Sequence, residues 1–178
     1  MDSQRKNIVD PQLSKEADIG RWLWALQDTR QRTMEELQRV SAAMIDWLPP
    51  DNESSIGTIL YHIADIEADW LYVEVLEQPL PAEIVALFPY PTRDEQGRLT
   101  RVQGDSLAIH LKRLETVRAL LLEVFQKMAL AEFRRVRSLP DYDVTPEWVL
   151  HHLMQHEAEH RGQIGSLRAR TKRSLAKG

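Results

Sequence analysis

The chain has 178 residues, a net charge of −4 and no cysteine. That length suits one domain, residues 1–178, with a full apolar core. The charge gives no reason to expect nucleic acid, and the lack of cysteine excludes disulfides, thiolate zinc sites and a cysteine nucleophile of the chain's own. No stretch approaches the roughly 18 apolar residues of a membrane span. The opening residues Met1-Asp-Ser-Gln-Arg-Lys-Asn7 form no apolar run of signal-peptide type. A cytoplasmic protein with no membrane partner is expected.

Residues 1–14 read as a loose lead-in. Over 15–47, Ile19, Leu23, Leu26, Met34, Leu37 and Met44 recur at three and four, the spacing of an amphipathic helix, until Pro49-Pro50 ends it. Ser54 or Ser55 caps a second helix over 54–77, with Ile59, His62, Ile66, Trp70 and Val73 on its inward stripe. The link over 78–104 is broken by Pro79, Pro81, Pro89, Pro91, Gly97 and Gly104, with one helical turn expected near 83–88. A connection this long in a compact domain is usually functional or locally structured. Asp105 is expected to cap a third helix over 105–131, carrying Leu107, Leu111, Leu114, Val117, Leu121, Val124 and Met128. After a shorter connection, with a brief extended piece at 133–137, Thr145-Pro-Glu147 opens a fourth helix over 146–170 with an N-cap hydroxyl, Pro at N1 and an early acid. The basic tail beyond Arg168 suits a helix C-terminus. Four long amphipathic segments with little strand signal predict an all-α four-helix bundle. The long second link allows a crossover that leaves the second and third helices parallel.

Four of the six histidines, His151, His152, His156 and His160, fall in the fourth helix. His152, His156 and His160 stack on one face, and two imidazoles at i and i+4 can reach one metal ion. His156-Glu-Ala-Glu-His160 matches the H-E-x-x-H pattern of zinc proteases. Those enzymes take a third ligand from downstream, and no His, Asp or Glu follows His160, so the protease reading fails. His62, midway along the inward stripe of the second helix, is the best third ligand. Three neutral imidazoles leave coordination positions open, the catalytic rather than the structural pattern. His152 reads as a pocket residue one turn away. Asp65 is placed to orient a ligand imidazole through its second nitrogen. His151 and His110 read as surface or edge residues. Glu157 lies about 100° off the ligand face.

Ser55-Ile-Gly-Thr-Ile-Leu-Tyr-His-Ile-Ala-Asp-Ile-Glu-Ala-Asp-Trp70, followed far downstream by His156-x-x-x-His-Arg-Gly-Gln-Ile164, resembles the DinB-like (DinB/YfiT) superfamily, over nearly the whole chain. The resemblance implies up-down-down-up topology with the crossover between helices 2 and 3, and often a homodimer. It implies a divalent metal, zinc or nickel among others, on three histidines that map onto His62, His156 and His160. Relatives of known activity imply that the metal activates the thiol of an external low-molecular-weight cofactor for transfer to a small electrophilic substrate, in detoxification or stress. A hydrolase using metal-bound water and a non-enzymatic, stress-associated metal-binding protein are the alternatives. A transferase needs polar or basic groups beside the metal, which the 78–104 link, Arg161 and Gln163 can supply.

Overall fold

The computed structural model describes residues 8–50 and 54–175. Four long helices dominate them: α1 (Ala17–Leu37), α2 (Ile56–Asp69, prolonged by one π-helical turn, Trp70–Val75), α3 (Leu107–Lys127) and α4 (Pro146–Leu175). A two-residue hairpin, β1 (Arg137–Ser138) against β2 (Asp143–Val144), precedes α4. Hydroxyl caps start three of the helices: Ser55 accepts the Thr58 N–H, Ser106 that of Ile109 and Thr145 that of Trp148, each satisfying an orphan donor of a first turn. Ser106 rather than Asp105 caps α3, because the Asp105 carboxylate is taken by Arg113 at 2.7 Å.

The helix directions follow from side-chain pairs. Trp22 meets Glu147, Arg30 meets Glu157 and Glu36 meets Arg168; the numbers rise together, so α1 and α4 are parallel. Gly57 lies against His110 and Glu67 meets Arg118; these numbers also rise together, so α2 and α3 are parallel too. Trp70 packs on Trp148 while His62 meets His156, which makes α2 and α4 antiparallel. The bundle is therefore up-down-down-up. The 78–104 link returns along α2: the Tyr61 hydroxyl donates to the Tyr90 carbonyl and accepts its N–H, and the Val102 N–H donates to Thr58.

Elements differ from the sequence reading where the bundle ends are closed. α1 stops at Leu37 instead of running to Trp47; a separate turn, Ala42–Ile45, folds Val40, Met44, Ile45 and Trp47 over the core. α3 stops at Lys127, and a turn at Leu130–Phe133 buries Phe133 edge-on against Phe125, so the extended piece begins only at Arg137. The expected turn in the long link is present, at Ala82–Val85. His110, read as a surface or edge residue, is fully buried where α3 closes on Gly57 of α2.

The lead-in is not loose throughout. Pro11–Leu13 forms a 3-10 turn capped by Asp10 and lies directly on α1 at Gly20. A Cβ there would sit 1.8 Å from the Pro11 carbonyl oxygen, a backbone clash no rotamer relieves. Gly20→Ala is expected to displace this turn and lower unfolding stability by about 1–3 kcal/mol, measured by urea titration. An unchanged midpoint would mean that the turn contributes nothing.

Candidate metal centre

α2 and α4 position the three imidazoles. His62 sits in the second turn of α2 and is 6% exposed. His156 and His160, one turn apart on α4, face it from the antiparallel neighbour. His156 Nε2 lies 3.1 Å from His62 Nε2 and 3.0 Å from His160 Nε2. One ligand nitrogen from each of the three lies within 4.8 Å of the others. Nitrogens held about 2.0–2.1 Å from one ion at angles between octahedral and tetrahedral lie roughly 2.9–3.4 Å apart, so the two separations at His156 fit a shared divalent ion.

The electrostatics suit the same purpose. Burial first, then the neighbouring His160 and Arg93, push the His62 pKa down to about 4. Burial and then the other histidines push His156 down to about 3. Burial also lowers His160 and His152. All are therefore neutral near pH 7, with lone pairs free for coordination. Gln163 fixes one ring: its Oε1 accepts the His160 Nδ1 proton at 2.8 Å, which leaves Nε2 bare toward the other two. That is the usual arrangement around a ligand imidazole. His62 Nδ1 is buried without a hydrogen-bond partner.

The rings open into a cavity of about 790 Å³, lined also by Ile59, Trp70, Arg93, Arg98, Leu99, His152, Gln163 and Ser166. His152 lies in its wall, stacked parallel on Trp148 at 5.1 Å and against Trp70 at 4.4 Å. Asp65 is not bonded to His62. Its carboxylate accepts the Thr92 hydroxyl at 2.6 Å and so anchors the loop that carries the arginines. That loop is a tight turn: Asp94 accepts the N–H groups of Gln96 and Arg98, Gly97 takes φ 76, and Arg93 bridges to Leu99. Arg161 does not line the cavity; it lies in the groove between α1 and α4 and donates to the Thr29 carbonyl. Glu157 points away from the histidines into a buried cluster with Arg30 and Arg118.

A family model described as the DinB superfamily matches residues 25–164. The chain belongs to the DinB superfamily. Among solved structures, this DinB-superfamily protein is similar to a conserved protein from Enterococcus faecalis, with 17% identity and a TM-score of 0.65 over 83% of this chain and 92% of the other, a likeness that bears on the fold alone. No curated protein matches the chain. Among the described residues of this DinB-superfamily member, no helix is long and apolar enough to cross a membrane.

Sequence reading points to the 78–104 link as a source of basic groups but does not single out Arg93 and Arg98, which sit in the stretch of poorest pattern, where no periodicity marks a direction. It places Trp70 on the inward stripe with His62 but gives no sign of Trp148 beside it.

Proposed function

We propose that this protein is a metal-dependent transferase that joins an external low-molecular-weight thiol to a small electrophile. The observation that carries the reading is the composition of the cavity before the three imidazoles. Arg93, Gln163, Ser54 and Ser166 offer donors to a polar, anionic thiol, as does the Nη1 of Arg98, whose other nitrogens pair with Asp94 and Gln96, and none of the described lining residues is Asp or Glu. A hydrolase needs a general base in reach of its nucleophilic water; no carboxylate lines the described cavity, and its remaining imidazole, His152, is stacked against Trp70 and Trp148. Glu157, next to a ligand in sequence, is 1% exposed and committed to two arginines. The cavity is also open and of ordinary ligand-pocket size, about 300–1,000 Å³, which speaks against a vestigial site. The lack of cysteine suits a thiol supplied from outside, in a reducing compartment such as the cytoplasm.

In this reading His62, His156 and His160 hold the ion, zinc or nickel. When bound, the ion supplies Lewis acidity, which lowers the pKa of a thiol placed beside it. The chain's own groups do the rest. Gln163 keeps the His160 ring turned inward. Asp65, through Thr92, sets the loop whose Arg93 and Arg98 hold the carboxylate end of the thiol. Ile59, Leu99 and Leu167 make the apolar part of the cavity wall, and His152 with Trp70 forms the wall against which the electrophile lies.

The test is a conjugation assay with chlorodinitrobenzene, following thioether absorbance with glutathione, cysteine or mercaptoethanol on zinc- or nickel-loaded protein. Catalysis is expected to require the metal. Arg93→Ala is expected to raise KM about tenfold for the carboxylate-bearing thiols, the loss of one charge-assisted contact, and to leave mercaptoethanol unaffected. Metal-dependent ester hydrolysis with no thiol dependence would replace the transferase by a hydrolase.

A further inference from the structure

Trp70 is a wall of two cavities. On its far side from the histidines lies a second one of about 530 Å³, lined by Trp70, Val136, Tyr142, Asp143, Val144 and Trp148, with Thr145 at the start of α4. The hairpin and the first turn of α4 build it. Val136, Tyr142 and Trp148 are 56%, 44% and 47% exposed, which leaves three large apolar side chains together in water. The rings are ordered: Trp70 stacks on Tyr142 at 6.2 Å and lies 5.4 Å from Trp148. The proposed transferase reading uses only the side of Trp70 that faces the histidines and no other residue of this shelf.

Its acid–base make-up is one-sided. Among the described lining residues Asp143 is the only Asp, Glu, Lys, Arg or His. Tyr142 donates to Glu74 at 2.7 Å, and Glu74, 4% exposed, has its second carboxylate oxygen buried without a partner. Asp69 and Asp141 are also close enough to act on the Tyr142 phenol, which burial and these acids push up to about 12. The hairpin's own Arg137 is 2% exposed and turned away, donating to Glu132 and to the carbonyls of Val75, Glu132 and Arg135.

We propose that the Trp70–Tyr142–Trp148 shelf binds an organic cation, a quaternary or protonated alkylammonium group, held over the ring faces beside Asp143, with Glu74 behind the Tyr142 hydroxyl. Indole and phenol faces carry negative quadrupole potential, and alkylammonium groups seat on them with apolar contact as well as charge. A neutral flat ligand would use the rings and gain nothing from Asp143 and its neighbours, and an anion would be repelled. The inference does not depend on the metal or on thiol transfer.

The test titrates the full-length protein with choline and with its uncharged isostere, in which carbon replaces the quaternary nitrogen, while following the indole N–H proton resonances. Choline is expected to shift those of Trp70 and Trp148 saturably and to bind at least about fivefold more tightly than the isostere. Trp148→Ala should abolish the saturable shift. Asp143→Asn, an exposed position, should bring the ratio toward unity with isostere binding unchanged. His156→Ala should leave choline binding as it is, even if it removes the metal site. Equal or tighter binding of the isostere, or shifts confined to Trp22, Trp24 and Trp47, would overturn the proposal.

Discussion

Arg118→Met is expected to lower the unfolding free energy by about 3–5 kcal/mol, the range for removing one partner of a buried ion pair. Each long helix contributes one charged group to a layer in the bundle interior: Arg30 from α1, Glu67 from α2, Arg118 from α3 and Glu157 from α4, all 7% exposed or less. Arg118 donates through Nε and Nη2 to both oxygens of Glu67, and through Nη2 also to Glu157. Arg30 completes the ring to Glu157 at 2.7 Å and to Glu67 at 2.8 Å. The remaining guanidinium donors find the carbonyls of Leu26 and Leu114. Two positive and two negative groups leave the layer neutral. Methionine at 118 fills much of the space but strands one net negative charge where water does not reach. Burial alone would raise the Glu157 pKa, and the two arginines outweigh it and hold it below the usual range; without Arg118 a proton is expected to bind there. Arg118→Lys keeps the charge but loses the two-pronged geometry, so it should fall between. Urea denaturation of the three proteins checks the order. A loss under about 1 kcal/mol for the methionine variant, typical of exposed pairs, would show that the layer is solvated.

The same layer explains what sequence could and could not show. The helix spans were legible because Leu23, Leu26, Leu114, Leu121 and Leu153 recur at helical spacing on faces that become core. The meeting of the three histidines was legible because His62 shares the inward stripe of Ile59 and Ile66, and an i, i+4 pair leaves little freedom about where two rings point. Arg30, Glu67 and Arg118 broke the apolar pattern and were passed over, since a charged residue on a helix usually marks its wet face. Only their meeting across four helices removes them from water, and that meeting depends on register between elements, which no local pattern carries. Glu157 was placed off the ligand face by the helical wheel alone, yet its partners come from α1 and α3. The direction of Arg93 and Arg98 depends in the same way on a turn closed by Asp94 and Gly97, and that of Asp65 on Thr92, far along the link.

His156→Ala is expected to reduce bound zinc or nickel from one ion per chain to near none, with affinity lost by more than about 100-fold. The bound follows from the lesser case: removing a group that only orients a ligand imidazole costs roughly 10–100-fold, which is the loss expected of Gln163→Ala, because Gln163 holds the His160 ring. His156 Nε2 lies 3.0–3.1 Å from the Nε2 of each of the other two, so its removal takes away a donor in contact with both. Protons compete with the ion for the same lone pairs, and the ordinary histidine value is about 6.5. With His62 near 4 and His156 near 3, metal should be retained through about pH 6 and released only toward pH 4. The metal-free protein gives the complementary sign. A folded-state value below the unfolded one means that stability from neutral His62 is fully present above about pH 6.5 and is lost as pH falls toward 4. Metal-free His62→Phe should therefore lose less stability across that window than the metal-free parent. Elemental analysis after dialysis, with unfolding titrations at stepped pH, reads both effects. Undiminished metal in His156→Ala, or release already complete near pH 6.5, would mean that these imidazoles do not hold the ion.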